Sequence, residues 1–359
     1  NFIPYIVAKY SYAEKLIIDV VDINNYSIGV LKQLLKIIDI PPNVKINFIC
    51  DDFLLHEFEN RYDVITGNPP FMKMNSKSKI LKEYRKKCIN NESNNTSSYF
   101  LEKALTISDN VVMVMPKNLL NTSEYEKTRN YISKLNIRSI IDFGEKGFEG
   151  VLIETICINI NTCNKPTYTK ILSITLKKEI NQKQNYIIDK NLPYWIIYRN
   201  DDFDKLMRKM EFNIFDVFRD RQITNNNSSK EIKNIWVIKS RNINDDATEI
   251  KHIADYDQYV NEEDIKKYNV YEFLNNKNVY ITPNMSYKPR VCKKPVGTIV
   301  NGSVAILIPK NNIELTKKDM LFFSTDEYRN FYKIARNYQT RSLNIDKTSV
   351  FFFGKLKEV

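Results

Sequence analysis

Two rhythms of apolar and polar positions alternate along the first half of the chain. Residues 2 to 10 put Phe2, Ile3, Ile6 and Val7 on one face, which predicts a short helix. Leu16 to Val21 is an apolar run closed by Asp22-Ile23-Asn24 and predicts a buried strand. Ile28, Val30, Leu31, Leu34, Leu35 and Ile38 then recur every three or four residues, and Pro41-Pro42 stops that helix. Strands follow at Ile46 to Cys50 and Tyr62 to Gly67, a helix at Ser98 to Leu105, and a strand at Val111 to Met115 ended by Pro116-Lys117-Asn118. A helix from about Ser123 to Leu135 leads to strands at Ile137 to Phe143 and Thr155 to Ile160. Strands alternating with helices predict an α/β fold with a doubly wound, mostly parallel sheet.

The tempo changes after Cys163. Lys165 to Lys190 is rich in Lys, Asn and Gln and reads as a connector. Beyond Pro193 come short strands and turns broken by basic clusters, which predicts a second, mixed α+β domain. The expected boundaries are residues 1–164, 165–192 and 193–359.

The polar residues at the strand ends carry the candidate chemistry. Asn68-Pro69-Pro70-Phe71 follows the strand at Tyr62. Two prolines there allow neither another ladder rung nor a helix start, so they make a stiff turn that fixes the Asn68 side chain and the Pro69 carbonyl. Open α/β sheets place their ligands at this edge. Taken alone, the four residues read equally well as an ordinary Asn-Pro turn capped by a core Phe. Asp22 and the pair Asp52-Phe53 also close strands, although an isolated Asp there is often only a turn former.

In this order and spacing the three motifs resemble the S-adenosylmethionine-dependent adenine-N6 DNA methyltransferases of restriction–modification systems, class I Rossmann-like enzymes with a C-terminal recognition domain. The resemblance is specific over residues 1 to about 160 and only broad beyond. It implies that Asp22, with Ile23 beside it, binds the cofactor ribose, and that Asp52 and Phe53 hold its adenine. It also implies that Asn68, Pro69, Pro70 and Phe71 are catalytic and hold the target base, that Asn68 touches the cofactor as well, and that Phe148, in Gly144 to Gly150, stacks on the base opposite Phe71. Asn1-Phe2-Ile3-Pro4 looks like the tail of the family's first motif, whose Gly-rich turn would precede residue 1, so the chain is expected to be a fragment. Many relatives carry Tyr where Phe71 stands, which excludes a role that needs a phenol. The implied partners are double-stranded DNA, met by base flipping, and a cognate restriction endonuclease. Two rivals stay open: methylation of protein glutamine, since the motif also serves planar amides, and a DNA-binding specificity module with an inactive core.

Charge fits the DNA reading. The 54 Lys and Arg outnumber 43 Asp and Glu, a net +11 that suits a polyanionic partner or simple solubility. Met72 to Ser98 reads as a mobile basic loop beside the motif, with Lys73 and Lys77 as candidate phosphate contacts. In the second domain the clusters around Arg221, Arg241, Arg290 and Arg341 offer guanidinium groups able to reach base edges or phosphates. Five scattered cysteines lack metal spacing and read as reduced thiols of a cytoplasmic protein. No apolar stretch approaches the roughly 20 residues that span a bilayer, so no membrane or metal partner is expected.

Overall fold

The structure, a computed structural model, describes residues 2–148, 150, 152–340 and 344–358. It divides into two units, the first made of Asn1–Leu119, Glu124–Phe143 and Thr155–Asn181 and the second of Leu120–Ser123, Gly144–Glu154 and Gln182–Val359.

In the first unit, α1 (Ile3–Lys9) precedes β1 (Leu16–Asp22), α2 (Asn25–Leu35), β2 (Val44–Cys50) and β3 (Tyr62–Gly67). Next come α3 (Lys79–Lys87), α4 (Thr96–Ile107), β4 (Ser108–Pro116), α5 (Glu126–Ile132), β5 (Asn136–Gly144), β6 (Thr155–Asn161), β7 (Tyr168–Ser173) and β8 (Lys178–Lys183). β1 and β2 pair in parallel from Leu16↔Val44 to Asp22↔Cys50, so their carboxyl ends lie level. The other strands form a sheet in the order β3-β4-β6-β5-β7-β8. β3–β4 and β5–β7 are parallel, while β6 runs antiparallel to β4. Tyr62 of β3 donates its hydroxyl to Asp19 of β1 at 2.7 Å, and Asn47 of β2 donates to the same carboxylate at 2.7 Å. That acid ties the two sheets together.

Two sequence expectations change here. The connector expected at 165–192 holds β7 and β8, which extend the sheet. Their burial alternates, with Lys and Glu on the open side, so a polar composition concealed period-two strands. The loop expected at Met72 to Ser98 holds α3, seated by the fully buried Leu81, and then the buried polar residues Ser93 and Asn95 to Ser98.

The second unit contains α6 (Gln184–Ile187), α7 (Asp201–Lys209), β9 (Met210–Glu211), β10 (Phe215–Arg219), β11 (Ile235–Ile238), β12 (Gln258–Val260), α8 (Glu262–Ile265) and β13 (Tyr280–Pro283). β14 (Cys292–Lys293), β15 (Thr298–Val300), β16 (Val304–Pro309), α9 (Lys317–Phe322), α10 (Asp326–Ala335) and β17 (Lys355–Leu356) complete it. Its sheets run β10-β16-β13-β14, β12-β11-β15 and β17-β9. Val237, Ile238, Ile299, Val300 and Ile306 are buried in one aliphatic cluster. Phe203 stacks on Phe331 at 4.8 Å, with Phe352 against both. A Cβ at Gly354 would run into the Glu211 carbonyl, so the approach of the chain's last strand to β9 requires glycine there.

Candidate active site

Three strand ends of the first unit place the candidate residues. Asp22 closes β1 and is exposed; its Oδ1 accepts the Asn24 N–H at 2.7 Å. Asn24 in turn caps α2 by accepting from Tyr26 N at 2.9 Å and Ser27 N at 3.3 Å. Helix start and acid are thereby built as one turn. Ile23 is 71% exposed, available to an apolar ligand surface rather than to the core.

Asp52 follows β2 and is only partly exposed. Its Oδ1 accepts the Leu54 N–H at 2.9 Å, and its Oδ2 accepts the Tyr84 hydroxyl at 2.6 Å. Burial, then this bond to Asp52, raises the Tyr84 phenol above its ordinary pKa, so it stays a donor. Phe53 stacks on Phe100, with centroids 5.2 Å apart at 18°, and leans on Phe58. The half-buried Phe53 ring is thus held on an aromatic shelf, next in sequence to the Asp52 carboxylate.

The Asn68 turn leaves β3 directly. Asn68 is exposed, and among the described residues no side chain holds its amide. Pro69 is buried, and Phe71 is half-buried. The turn is fixed from below. Pro70 O accepts the Thr96 hydroxyl at 2.6 Å, Met72 O accepts Thr96 N at 3.0 Å, and Met74 N donates to Asn94 O at 2.8 Å. Asn95 caps α4 through Ser97 N at 3.1 Å and also takes the Ser97 hydroxyl at 2.8 Å. Ser97 bonds the buried Tyr125 hydroxyl at 2.8 Å. This clamp was missed in the sequence, where Asn94 to Ser98 read as loop. The available signal was Asn before Thr-Ser-Ser and an apolar run, a helix-start pattern.

A buried ion pair lies farther along the sheet. Lys117, just past β4, meets Asp142 of β5 at 2.8 Å, with both side chains almost wholly buried. Opposite charges so close offset part of each other's desolvation.

The basic candidates separate. Lys73 is exposed and pairs with Glu124 at 3.2 Å, and Lys77 is exposed. Arg221 is exposed at the end of β10, and Arg241 lies over the Tyr256 ring at 4.7 Å. Arg290 contradicts its expected role as a DNA contact. It is 9% exposed and donates to the main-chain oxygens of Ile243, Lys288 and Ser240 at 3.1–3.2 Å. Its guanidinium fastens three loop segments. The cluster around Arg336 is likewise interior: Asn337 donates to Trp195 O at 2.7 Å and accepts from Ile197 N at 2.9 Å. Arg341 lies outside the described residues. Phe148 is half-buried in the stretch Gly144–Glu154, which groups with the second unit, whereas Phe71 belongs to the first.

Residues 13–148 match the family model described as Eco57I restriction-modification methylase. The type II methyltransferase M.AccI of Acinetobacter calcoaceticus is 28% identical over 159 residues, which is 40% of this chain and 29% of that protein. The chain therefore spans under a third of the curated relative it matches. Among solved structures, the type IIG restriction endonuclease BpuSI has a TM-score of 0.43 at 11% identity, covering 96% of this chain and 56% of that one. A type I restriction-modification methyltransferase subunit from Streptococcus thermophilus has a TM-score of 0.35 at 14% identity, covering 43% and 35%. The stretch matched by the restriction-modification methylase model is the one that bears the Asn68 turn, and the curated relative that the chain resembles is itself a type II methyltransferase.

Proposed function

We propose that the protein is an adenine-specific DNA methyltransferase that moves a methyl group from S-adenosylmethionine to the exocyclic amine of a flipped-out adenine. The observation that carries this reading is the Asn68 turn: an exposed amide on a rigid Pro-Pro frame, anchored through Pro70 O by Thr96, at the carboxyl end of β3, the strand that Tyr62 ties to β1 through Asp19.

The residues at that edge fit the cofactor. Asp22 has one carboxylate oxygen on Asn24 and the rest of the group open to a ribose diol. Asp52 accepts two bonds, yet an ionised carboxylate has about four lone-pair sites, which leaves room for an adenine amine. When bound, S-adenosylmethionine supplies an electrophilic methyl. The chain supplies position and electrostatics.

An adenine amine is a weak nucleophile because its lone pair is delocalised into the ring. During attack the nitrogen becomes tetrahedral and gains positive charge. The Asn68 side-chain oxygen and the Pro69 carbonyl accept its hydrogens and stabilise that charge as it develops. The Phe71 ring adds cation–π stabilisation of about 0.5–2 kcal/mol. No strong base is needed, because the proton leaves after transfer. The amine cannot meet these groups within the base stack, so the nucleotide must be extruded. In this reading the second unit holds the target DNA, and a cognate restriction endonuclease cuts the same site when it is unmethylated.

The test is to incubate the full-length protein with labelled S-adenosylmethionine and duplex DNA, digest the DNA and separate the nucleosides. Label in N6-methyldeoxyadenosine is expected. Label in a cytosine derivative, or in protein glutamine instead of DNA, overturns the reading.

A further inference from the structure

The second unit contains a cavity of about 400 Å³ lined by Arg219, Asp220, Arg221, Ile223, Thr224, Asn284, Gly302 and Asn344. It forms where β10 ends against the turn before β16. A Cβ at Gly302 would come within 3.1 Å of the Asp220 carbonyl, so glycine lets that turn close the wall. Asp220 is buried; its Oδ2 accepts Gln222 N at 3.1 Å and Ile223 N at 2.7 Å, which fixes the path of the chain through the two arginines, while its Oδ1 has no hydrogen-bond partner among the described residues. Asn284 is committed as well: it donates to Gly302 O at 3.0 Å and Asn344 Oδ1 at 2.9 Å and accepts from Ile345 N at 3.0 Å.

The two guanidinium groups are different. Among the described residues neither Arg219 nor Arg221 has an acid within ion-pair distance. Asp346, the acid whose field reaches Arg219, uses its Oδ1 on the main chain and hydroxyls of Thr348 and Ser349. Two like charges side by side on a cavity cost energy unless an anion comes between them. Burial, and then the neighbouring Arg221 charge, push the Arg219 guanidinium below its ordinary pKa.

We infer that this cavity seats one backbone phosphodiester of a DNA strand, gripped by Arg219 and Arg221 and flanked by the Thr224 hydroxyl and the Asn344 amide. Paired guanidinium forks match phosphate oxygens in geometry as well as charge. The volume falls in the range of roughly 300–1,000 Å³ that holds small-molecule-sized groups, enough for the phosphate and an adjoining sugar. Such a contact carries no sequence information; it sets the register in which other side chains meet the bases. The inference rests on the DNA reading above and assigns it a place.

The experiment is a duplex-binding titration by fluorescence anisotropy across a salt series, for wild type, Arg219→Gln/Arg221→Gln, Arg221→Glu and Arg219→Lys/Arg221→Lys. Arg221 is exposed, so its single reversal leaves folding intact even where the double variant fails to fold. One lost phosphate contact lowers the slope of log affinity against log salt by about 1. The glutamine pair and Arg221→Glu are expected to show that drop on every duplex sequence, and the lysine pair to keep the wild-type slope. Wild-type binding with an unchanged slope in Arg221→Glu overturns the cavity assignment and leaves the DNA reading standing. No duplex binding by wild type overturns both. Inorganic phosphate and deoxynucleoside monophosphate serve as competitors. If either binds tightly and Arg221→Glu loses it while duplex binding is unaltered, the cavity belongs to a free anion and the proposal falls.

Discussion

The strand-end turns of the first unit and the arginine clusters of the second make opposite use of polar residues. At Asn68 the backbone is what is fixed: Thr96 holds Pro70 O at 2.6 Å and the amide above stays open. At Arg290 the side chain is what is fixed, wound inward onto three carbonyls. Arg221, which looks the same in sequence, stands exposed beside Arg219 with no acid among the described residues. Short side chains at strand ends cannot travel far from the position the strand dictates. Long cationic ones can, and they settle wherever main-chain acceptors remain unfilled.

The largest effect expected is on the buried pair. Lys117→Met leaves Asp142 without its cation and should cost about 3–5 kcal/mol, read by denaturant unfolding. A loss under 1 kcal/mol would mean that the interior there is wet and the pair merely coincident. Asp22→Ala is expected to weaken S-adenosylmethionine binding by about 1.5–3 kcal/mol in calorimetry, the range for hydrogen bonds to a charged group. Unchanged affinity would reduce Asp22 to the turn-former that holds Asn24.

Arg290→Met sharpens the contrast within the second unit. Unfilling three acceptors should lower stability by about 1–3 kcal/mol, with no change in the salt slope of DNA binding where the variant is folded. A slope change would return Arg290 to the DNA surface. Thr96→Val removes only the hydroxyl beneath the turn. It should cost about 0.5–1.5 kcal/mol of stability and slow methyl transfer while DNA affinity holds. A rate equal to wild type would show that the two prolines alone hold the turn.

Much of the first unit was legible because its strands are apolar runs with polar stops. β1 and β3 begin and end within a residue of where the pattern puts them. α3 was hidden by its charge, although Leu81, Tyr84 and Cys88 recur at helical spacing. β7 and β8 were hidden by the lysines of an edge. In the second unit composition revealed short strands but not which cations point outward. Arg221 and Arg290 are distinguished only by the carbonyls of Ser240 and Ile243, tens of residues away from Arg290 in sequence. Asn95 was legible in principle as a cap; its second task, presenting Thr96 to Pro70, depends on how α4 meets β3.

The central claim is that the Asn68 turn performs the methyl transfer. Asn68→Ala removes one preorganised acceptor and leaves the prolines, Phe71 and the Thr96 clamp in place. Loss of such a group typically costs about 10²–10³ in rate, or roughly 3–4 kcal/mol. Single-turnover methyl transfer should be measured beside a DNA-binding titration at one fixed salt concentration, because phosphate contacts make affinity salt-dependent. The account predicts that large rate loss with DNA affinity unchanged within about twofold, since phosphate contacts dominate binding. A variant that transfers methyl as fast as wild type would contradict it.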